Sequence, residues 1–407
     1  MPERFATEGT EVMQGGIRTW RARNKRRALG TPAVVFLDDW KWHSFHQLAP
    51  ALRSAGVRTI RVSTADLRRT HVVSRLLFDE YAVLPKGSER DGLRQVVAGE
   101  NVIDVQFSES LADVVRDCLG SFSPELASRL EHRLRFMDKL YVSDLFASVG
   151  ISVPDALPFA QDSIDSIATK LGFPLIVKPR TGCGGADVQI IQDETELSLI
   201  TAQGRLGEDA LMCQRFVAGV KLDYAAVVSN VGIEQETTYR ISRWREPVGR
   251  ASEIEIIDDE QLRSLGRRAV EAGGCVGMVN MDIIRDDGGV DWLIDFNPRV
   301  FGSSGNLRAA GLNTSEGYLR VVGMRTEPVR RASARVGARV RLFPNMLDEL
   351  VEQGAVVRTA LRFTRRSLPY LRWLGFRYWL SEALLTAMIL SSNRPSHRHG
   401  AAASQPQ

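Results

Sequence analysis

Cysteine is scarce in this chain. Four residues in 407 (Cys118, Cys183, Cys213 and Cys275) lie far apart and match no zinc spacing. That excludes a disulfide-stapled secreted scaffold and leaves reduced thiols in a cytosolic protein as the simplest reading. Long apolar runs are also missing. The nearest, residues 368–390, holds Arg372, Arg377 and Glu382 inside the ~20-residue window that a membrane helix requires. The arginine-rich first thirty residues have no apolar core of the kind a secretory signal carries, so 1–30 reads as a disordered basic tail. Lysine is rare too, 7 against 46 arginines. Where solvation alone is needed this chain uses Arg, so a Lys inside an apolar strand marks a place that requires a compact charge. Lys178, in FPLIVKPR, is that place.

What is present is an ordinary globular composition, 44% hydrophobic and 25% charged, with length for two or three domains. The net charge of +4 is unevenly spread. Residues 325–407 carry 14 arginines against 5 acids, an excess of nine, which leaves the preceding residues at −5. An acidic body without a recognition motif argues against nucleic acid as a partner. The basic, aromatic segment 368–390 reads as a helix packed on the body or on a partner subunit, a homodimer included. Its alternative is a helix lying on an anionic membrane surface.

Short apolar strands alternate with helical segments from TPAVVFLD onward, which predicts an open α/β domain with a parallel sheet over 31–130. The segment SPELASRLEHRLRFMDKLYVSDLFASVG predicts a long helix or a helix pair. A second, α+β domain follows over 131–325, and a basic C-terminal extension with a disordered end over 326–407. Within the second domain, FPLIVKPR and ADVQIIQ are two strands joined by a glycine-rich tip, a lid over 178–190. Gly182, Gly184 and Gly185 let a backbone approach phosphates, although no Gly-Lys-Ser/Thr follows as in a Walker A loop. Cys183 within that tip reads as a small loop filler rather than a nucleophile. His43 and His46, in DDWKWHSFH, lack a third ligand and read as ordinary surface or capping residues, with Trp40, Trp42 and His43 at a strand end as the alternative contacts to substrate.

The most informative stretch is VNMDIIRDDGGVDWLIDFNPR, a hairpin over 276–299. Alternation puts Asp295, Asn297 and Arg299 on one strand face. A two- or four-residue turn pairs Arg285 with Val290, which sets Asn280 and Asp282 on the same face. An odd turn would move Asp282 to the opposite one. Two carboxylates and an amide form an all-oxygen ligand set suited to Mg²⁺, with Mn²⁺ as the alternative ion. Arg299, one step further, is placed to hold a phosphoryl group in transit.

In the order of these elements the chain resembles the ATP-grasp superfamily of carboxylate–amine ligases from about residue 135 to 320. That resemblance implies ATP bound between two α+β subdomains, with Asp282, Asp295 and Asn297 as Mg²⁺ ligands and Arg299 as the catalytic arginine. Lys139 in MDKL and Lys178 correspond to the two ATP lysines, and Gly184 and Gly185 to the lid. MCQRFVAG corresponds to the hinge strand, with Gln214 and the backbone of Phe216 and Val217 at adenine. Two departures stand out. Asp295 replaces a frequent Glu, and Lys221 occupies the place of the usual ribose-binding acid, a role that passes to Asp223. The activity implied is ATP-dependent joining of a small-molecule carboxylate to an amine through an acyl phosphate, in the cytoplasm. The rival readings are a kinase on the same fold and a non-catalytic MgATP-binding regulator.

Overall fold

The computed structural model describes residues 9–14, 17–22, 30–38, 43–64, 74–159, 164–182, 185, 187–203, 210–244, 251–342 and 345. The first half contains β1 (Gly9–Gln14), β2 (Ile17–Ala22), β3 (Ala33–Asp38), α1 (His43–Ser54), β4 (Arg58–Ser63), β5 (Glu80–Val83), α2 (Glu89–Val97), β6 (Val102–Phe107), α3 (Ala112–Asp117), α4 (Pro124–Arg135) and α5 (Lys139–Ser148). The second contains β7 (Ala156–Pro158), α6 (Ile164–Leu171), β8 (Leu175–Pro179), β9 (Gln189–Ile191), α7 (Glu194–Gln203), β10 (Leu211–Arg215), β11 (Val220–Ser229), β12 (Gly232–Trp244), β13 (Ala251–Ile257), α8 (Glu260–Gly273), β14 (Gly277–Arg285), β15 (Asp291–Asn297), α9 (Thr314–Val321) and β16 (Arg339–Arg341). The segment 368–390 lies outside the described residues. None of the described helices is long and apolar enough to cross a membrane.

In the first sheet β5, β4, β3 and β6 run parallel, and β3 is buried at all six positions. Val34 and Phe36 meet α1 on one face, while Ala33, Val35 and Leu37 meet α2, α3 and α4 on the other. Covering both faces is what makes such strands apolar throughout. The supposed disordered tail requires a correction. β1 and β2 form an antiparallel hairpin that extends this sheet beside β5. Ile17 and Trp20 are buried there, and Trp20 packs with Tyr81 and Val83. Ile17 and Trp20 are separated by two residues and stand among arginines, too weak a signal for a periodicity argument.

The second domain has two antiparallel sheets. One has the order β7-β10-β8-β9, with α6 and α7 on one face against Leu175, Val177, Leu211 and Cys213. The other has the order β15-β14-β11-β12-β13-β16. On one face of that sheet Leu222, Tyr224, Met281, Ile283 and Phe296 pack against α5 and α8. On its opposite face Ala225, Val227, Tyr239 and Met278 share a core with Phe36, Phe45, Leu48 and Phe78 of the N-terminal domain. The two domains are therefore joined through buried apolar surface.

Candidate active site

Asp223, Asp282 and Asp295 stand in register across three neighbouring strands, since Asp282 pairs with Asp223 on β11 and with Asp295 on β15. Directly opposed residues lie roughly 4.5–5.5 Å apart at Cβ and share a face. That face is the one which, further along, buries Ala225 and Met278 against the N-terminal domain. The acids occupy it beyond that packing. Asn280 pairs with Asn297 one step behind them.

The hairpin reaches this arrangement by a route the sequence reading did not foresee. Arg285 pairs with Asp291 rather than Val290, because Asp286 N–H donates to Val290 O (3.0 Å) and closes an odd, three-residue turn. The Asp286 side chain accepts from Val290 N–H (2.9 Å) and Trp292 Nε1–H (2.8 Å), fixing that turn. Continued regularly, this register would set Asp282 opposite Ile294. The pairing instead shifts by one residue between Asp282 and Ile283, leaving Ile294 as the bulged residue, and Asp295 is carried opposite Asp282.

Lys178 and Gln214 come from the other sheet. On β8 and β10 the residues that alternate with Val177 and Cys213 point away from α6 and α7, which puts both on the free face. Lys178 is 7% exposed, and its Nζ donates to Gln214 Oε1 (2.9 Å) and to Ile294 O (3.3 Å), the carbonyl of the bulge. Lys139 arrives from the first turn of α5, whose N-cap Asp138 also pairs with Arg180 at the end of β8. Its Nζ donates to Gly182 O (2.6 Å) in the glycine-rich loop and lies 4.0 Å from Asp295. Gly185 has φ +71°, a conformation that favours glycine. Gly184 lies outside the described residues. Phe216 and Val217 follow β10 half-buried, at the link to β11. Asp223 is in the acid row, where Asn280 Nδ2 donates to it (3.3 Å).

The electrostatics suit a cation. Burial, then the neighbouring Asp295, push Asp282 up to about 7, against Arg299, Lys139 and Lys178. Burial and Asp282 likewise hold Asp223 well above the ordinary carboxylate range. For Asp295 burial acts in the same sense, but Lys139, Lys178 and Arg299 outweigh it and keep its carboxyl low. Lys178 is lowered to about 8 by burial, opposed by Asp295. Among the described residues no group of three His, Cys, Asp or Glu side chains is gathered into a metal cage. Two carboxylates and one amide instead fit Mg²⁺, which keeps waters and shares substrate phosphates.

Arg299 donates from Nη2 to Asn297 Oδ1 (2.9 Å) and from Nε to Glu109 Oε1 (2.9 Å). Glu109, in a 3₁₀ turn after β6, was not found by the sequence reading, nor was Tyr239. The Tyr239 hydroxyl takes a bond from Asn280 Nδ2 (3.1 Å) and lies 2.9 Å from Ser303 Oγ. Both act across long sequence separations, for which a single sequence carries no signal. His46, read as a surface or capping residue, is instead buried in α1 beside Phe78.

Residues 136–303 match the model of the ATP-grasp domain. The chain is 27% identical over 327 residues to a D-alanine--D-alanine ligase of Ectopseudomonas mendocina, covering 73% of this chain and 95% of that protein. It is 23% identical over 326 residues to D-alanine--D-alanine ligase B of Pseudomonas syringae pv. tomato, covering 74% and 95%. Among solved structures, N5-carboxyaminoimidazole synthetase from Staphylococcus aureus complexed with ADP superposes with a TM-score of 0.63 at 14% identity, over 80% of this chain and 88% of that one. The biotin carboxylase domain of the Hydrogenobacter thermophilus 2-oxoglutarate carboxylase, in complex with MgADP and bicarbonate, gives 0.58 at 14% identity, over 77% and 74%. The acid face, the two lysines and the glycine-rich loop thus lie within the stretch that matches the ATP-grasp domain model, on a fold shared with these ADP-bound structures.

Proposed function

We propose that this protein is an ATP-dependent carboxylate–amine ligase. The observation that carries the reading is the convergence on Asp295. A buried lysine from one sheet, a helix-start lysine and an arginine all surround a carboxylate that faces a second one. Lys139 and Lys178 hold the phosphates of ATP, and the link after Gln214 holds its base, with the backbone of Phe216 and Val217. Asp282, Asp295 and Asn297 hold Mg²⁺, and Mn²⁺ fits the same oxygens. When bound, the ion neutralises phosphate charge and aligns it.

Arg299 stabilises the phosphoryl group as it passes from ATP to a carboxylate oxygen, giving ADP and an acyl phosphate. The amine nitrogen then attacks the carbonyl carbon, the C–O bond to phosphate breaks, phosphate leaves with the electron pair, and the ammonium proton is lost. Gly185 and its neighbours close over the phosphates and keep water from the acyl phosphate. The substrates are a small-molecule carboxylate and an amine, met in the cytoplasm. The relatives named as D-alanine--D-alanine ligases support this class.

The test is trapping. Protein, MgATP, pooled carboxylic metabolites and hydroxylamine are incubated together, and hydroxamates are sought by mass spectrometry. An ATP-dependent hydroxamate, absent with Asp295→Ala, is expected. ATP consumption that yields a phosphorylated hydroxyl compound and no hydroxamate would sink the ligase reading in favour of a kinase.

A further inference from the structure

We propose that Glu109, from the N-terminal domain, is a positioning residue for Arg299 and so sets the phosphoryl-binding end of the site. This rests on the ligase reading above. Glu109 opens the 3₁₀ turn Glu109–Leu111 directly after β6, 190 residues before Arg299. Its carboxylate is 6% exposed and the Arg299 side chain 14%. Oε1 accepts from Arg299 Nε–H at 2.9 Å. Oε2 is buried and has no hydrogen-bond partner among the described residues, so Arg299 is the one group that balances this charge there.

The geometry gives the contact a purpose. A guanidinium is planar and presents five N–H donors in a fixed fork. Pinning Nε to Glu109 and Nη2 to Asn297 Oδ1 fixes that plane from two sides. The direction of the remaining donors is then set before any substrate arrives, the condition for electrostatic stabilisation without reorganisation. The backbone beyond Arg299 is held from the same domain. Gln106 Oε1 accepts from Val300 N–H (3.4 Å), and Gln47 Oε1 accepts from Gly305 N–H (2.8 Å). A Cβ at Gly305 would lie 2.5 Å from that Gln47 oxygen, so the loop and the N-terminal domain are in close contact. Gln106 is itself fixed, since its Nε2 donates to Asp104 Oδ2 (2.7 Å) and to Tyr318 Oη (3.1 Å). Three side chains of the first domain therefore orient the segment that follows the metal strand of the second.

An ion pair that merely joined two domains would leave the site indifferent to its loss, and this distinguishes the two roles. The full chain is titrated with MgADP, then with MgADP plus tetrafluoroaluminate, a planar stand-in for the phosphoryl group in transit. Glu109→Gln is expected to leave MgADP affinity unchanged and to weaken fluoroaluminate capture by about 10- to 100-fold, the usual effect of removing a group that orients a ligand-binding side chain. In an Arg299→Met background the same substitution should cause no further loss, because its effect passes through Arg299. Additive losses, unchanged capture, or an equal loss of MgADP affinity would each overturn the assignment. If Glu109→Gln does not fold, Glu109→Asp keeps the charge and withdraws it by one methylene, and it is read in the same way. Failure of the wild-type chain to capture fluoroaluminate with MgADP would contradict the phosphoryl-transfer reading itself, and this assignment with it.

Discussion

At the scale of single residues, Lys178 stands where its charge works against the fold. A charged lysine at 7% exposure, with its pKa lowered to about 8 chiefly by burial, is worse solvated folded than unfolded. A shift of that size corresponds to an order of magnitude of ~3 kcal/mol against the fold at neutral pH. Lys178→Met should therefore leave the nucleotide-free protein at least as stable as wild type, while removing the rise in melting temperature that MgATP gives. Because the unfolded chain holds the proton up to about 10.5, wild-type stability should rise with pH between about 8 and 10.5. The advantage of Lys178→Met should shrink over the same range. A large drop in stability at neutral pH would mean that the lysine is structural. This residue was legible in the sequence because lysine is rare here and stands in an apolar strand. Glu109, Gln47 and Gln106 were not, because what they touch lies 190 or more residues away.

At the scale of elements, the β14–β15 hairpin and the link before β11 decide where the acid face and the end of β10 meet. Alternation gave the correct face for Asp295 and Asn297 although the turn was read wrongly. The odd turn and the bulge at Ile294 offset one another, and only backbone hydrogen bonds reveal either of them. Gly219 sits where the link meets this hairpin. Its φ is +156°, and a Cβ there would fall 2.0 Å from Arg285 O, a backbone atom that no rotamer change moves. Gly219→Ala should cost about 2–4 kcal/mol and push the link away from β14. Chemical denaturation would show the loss, and calorimetry should show weaker ADP binding. Unchanged ADP affinity would mean that the link does not carry the base. The β1–β2 hairpin escaped notice for a different reason: among its described side chains Ile17 and Trp20 are buried, and in sequence they stand among arginines.

For the whole molecule, the sequence carried no sign of how the first domain joins the second. Val34, Phe36, Phe45, Leu48, Leu52 and Phe78 of the first domain share one core with Val227, Tyr239, Ile254, Met278 and Val300 of the second. Burial of such side chains contributes roughly 1.5–3 kcal/mol each. Residues 131–325 expressed alone should not fold, and the full chain should unfold in one transition with equal calorimetric and van't Hoff enthalpies. Two separate transitions would show that the shared core matters less than its burial suggests. The same union places Glu109 beside Arg299, so the candidate site draws on both domains.

The most direct measurement of the central claim, phosphoryl transfer to a carboxylate on the acid face, uses ATP carrying ¹⁸O in its β–γ bridge. It is incubated with the protein, Mg²⁺ and the carboxylate identified by trapping, without amine, and read by ³¹P NMR. Reversible acyl phosphate formation moves the label into the non-bridging β positions. Such scrambling is expected with the wild-type chain, only when the carboxylate is present, and should vanish in Asp295→Asn. Its absence in the wild type, or its persistence in Asp295→Asn, would contradict the account.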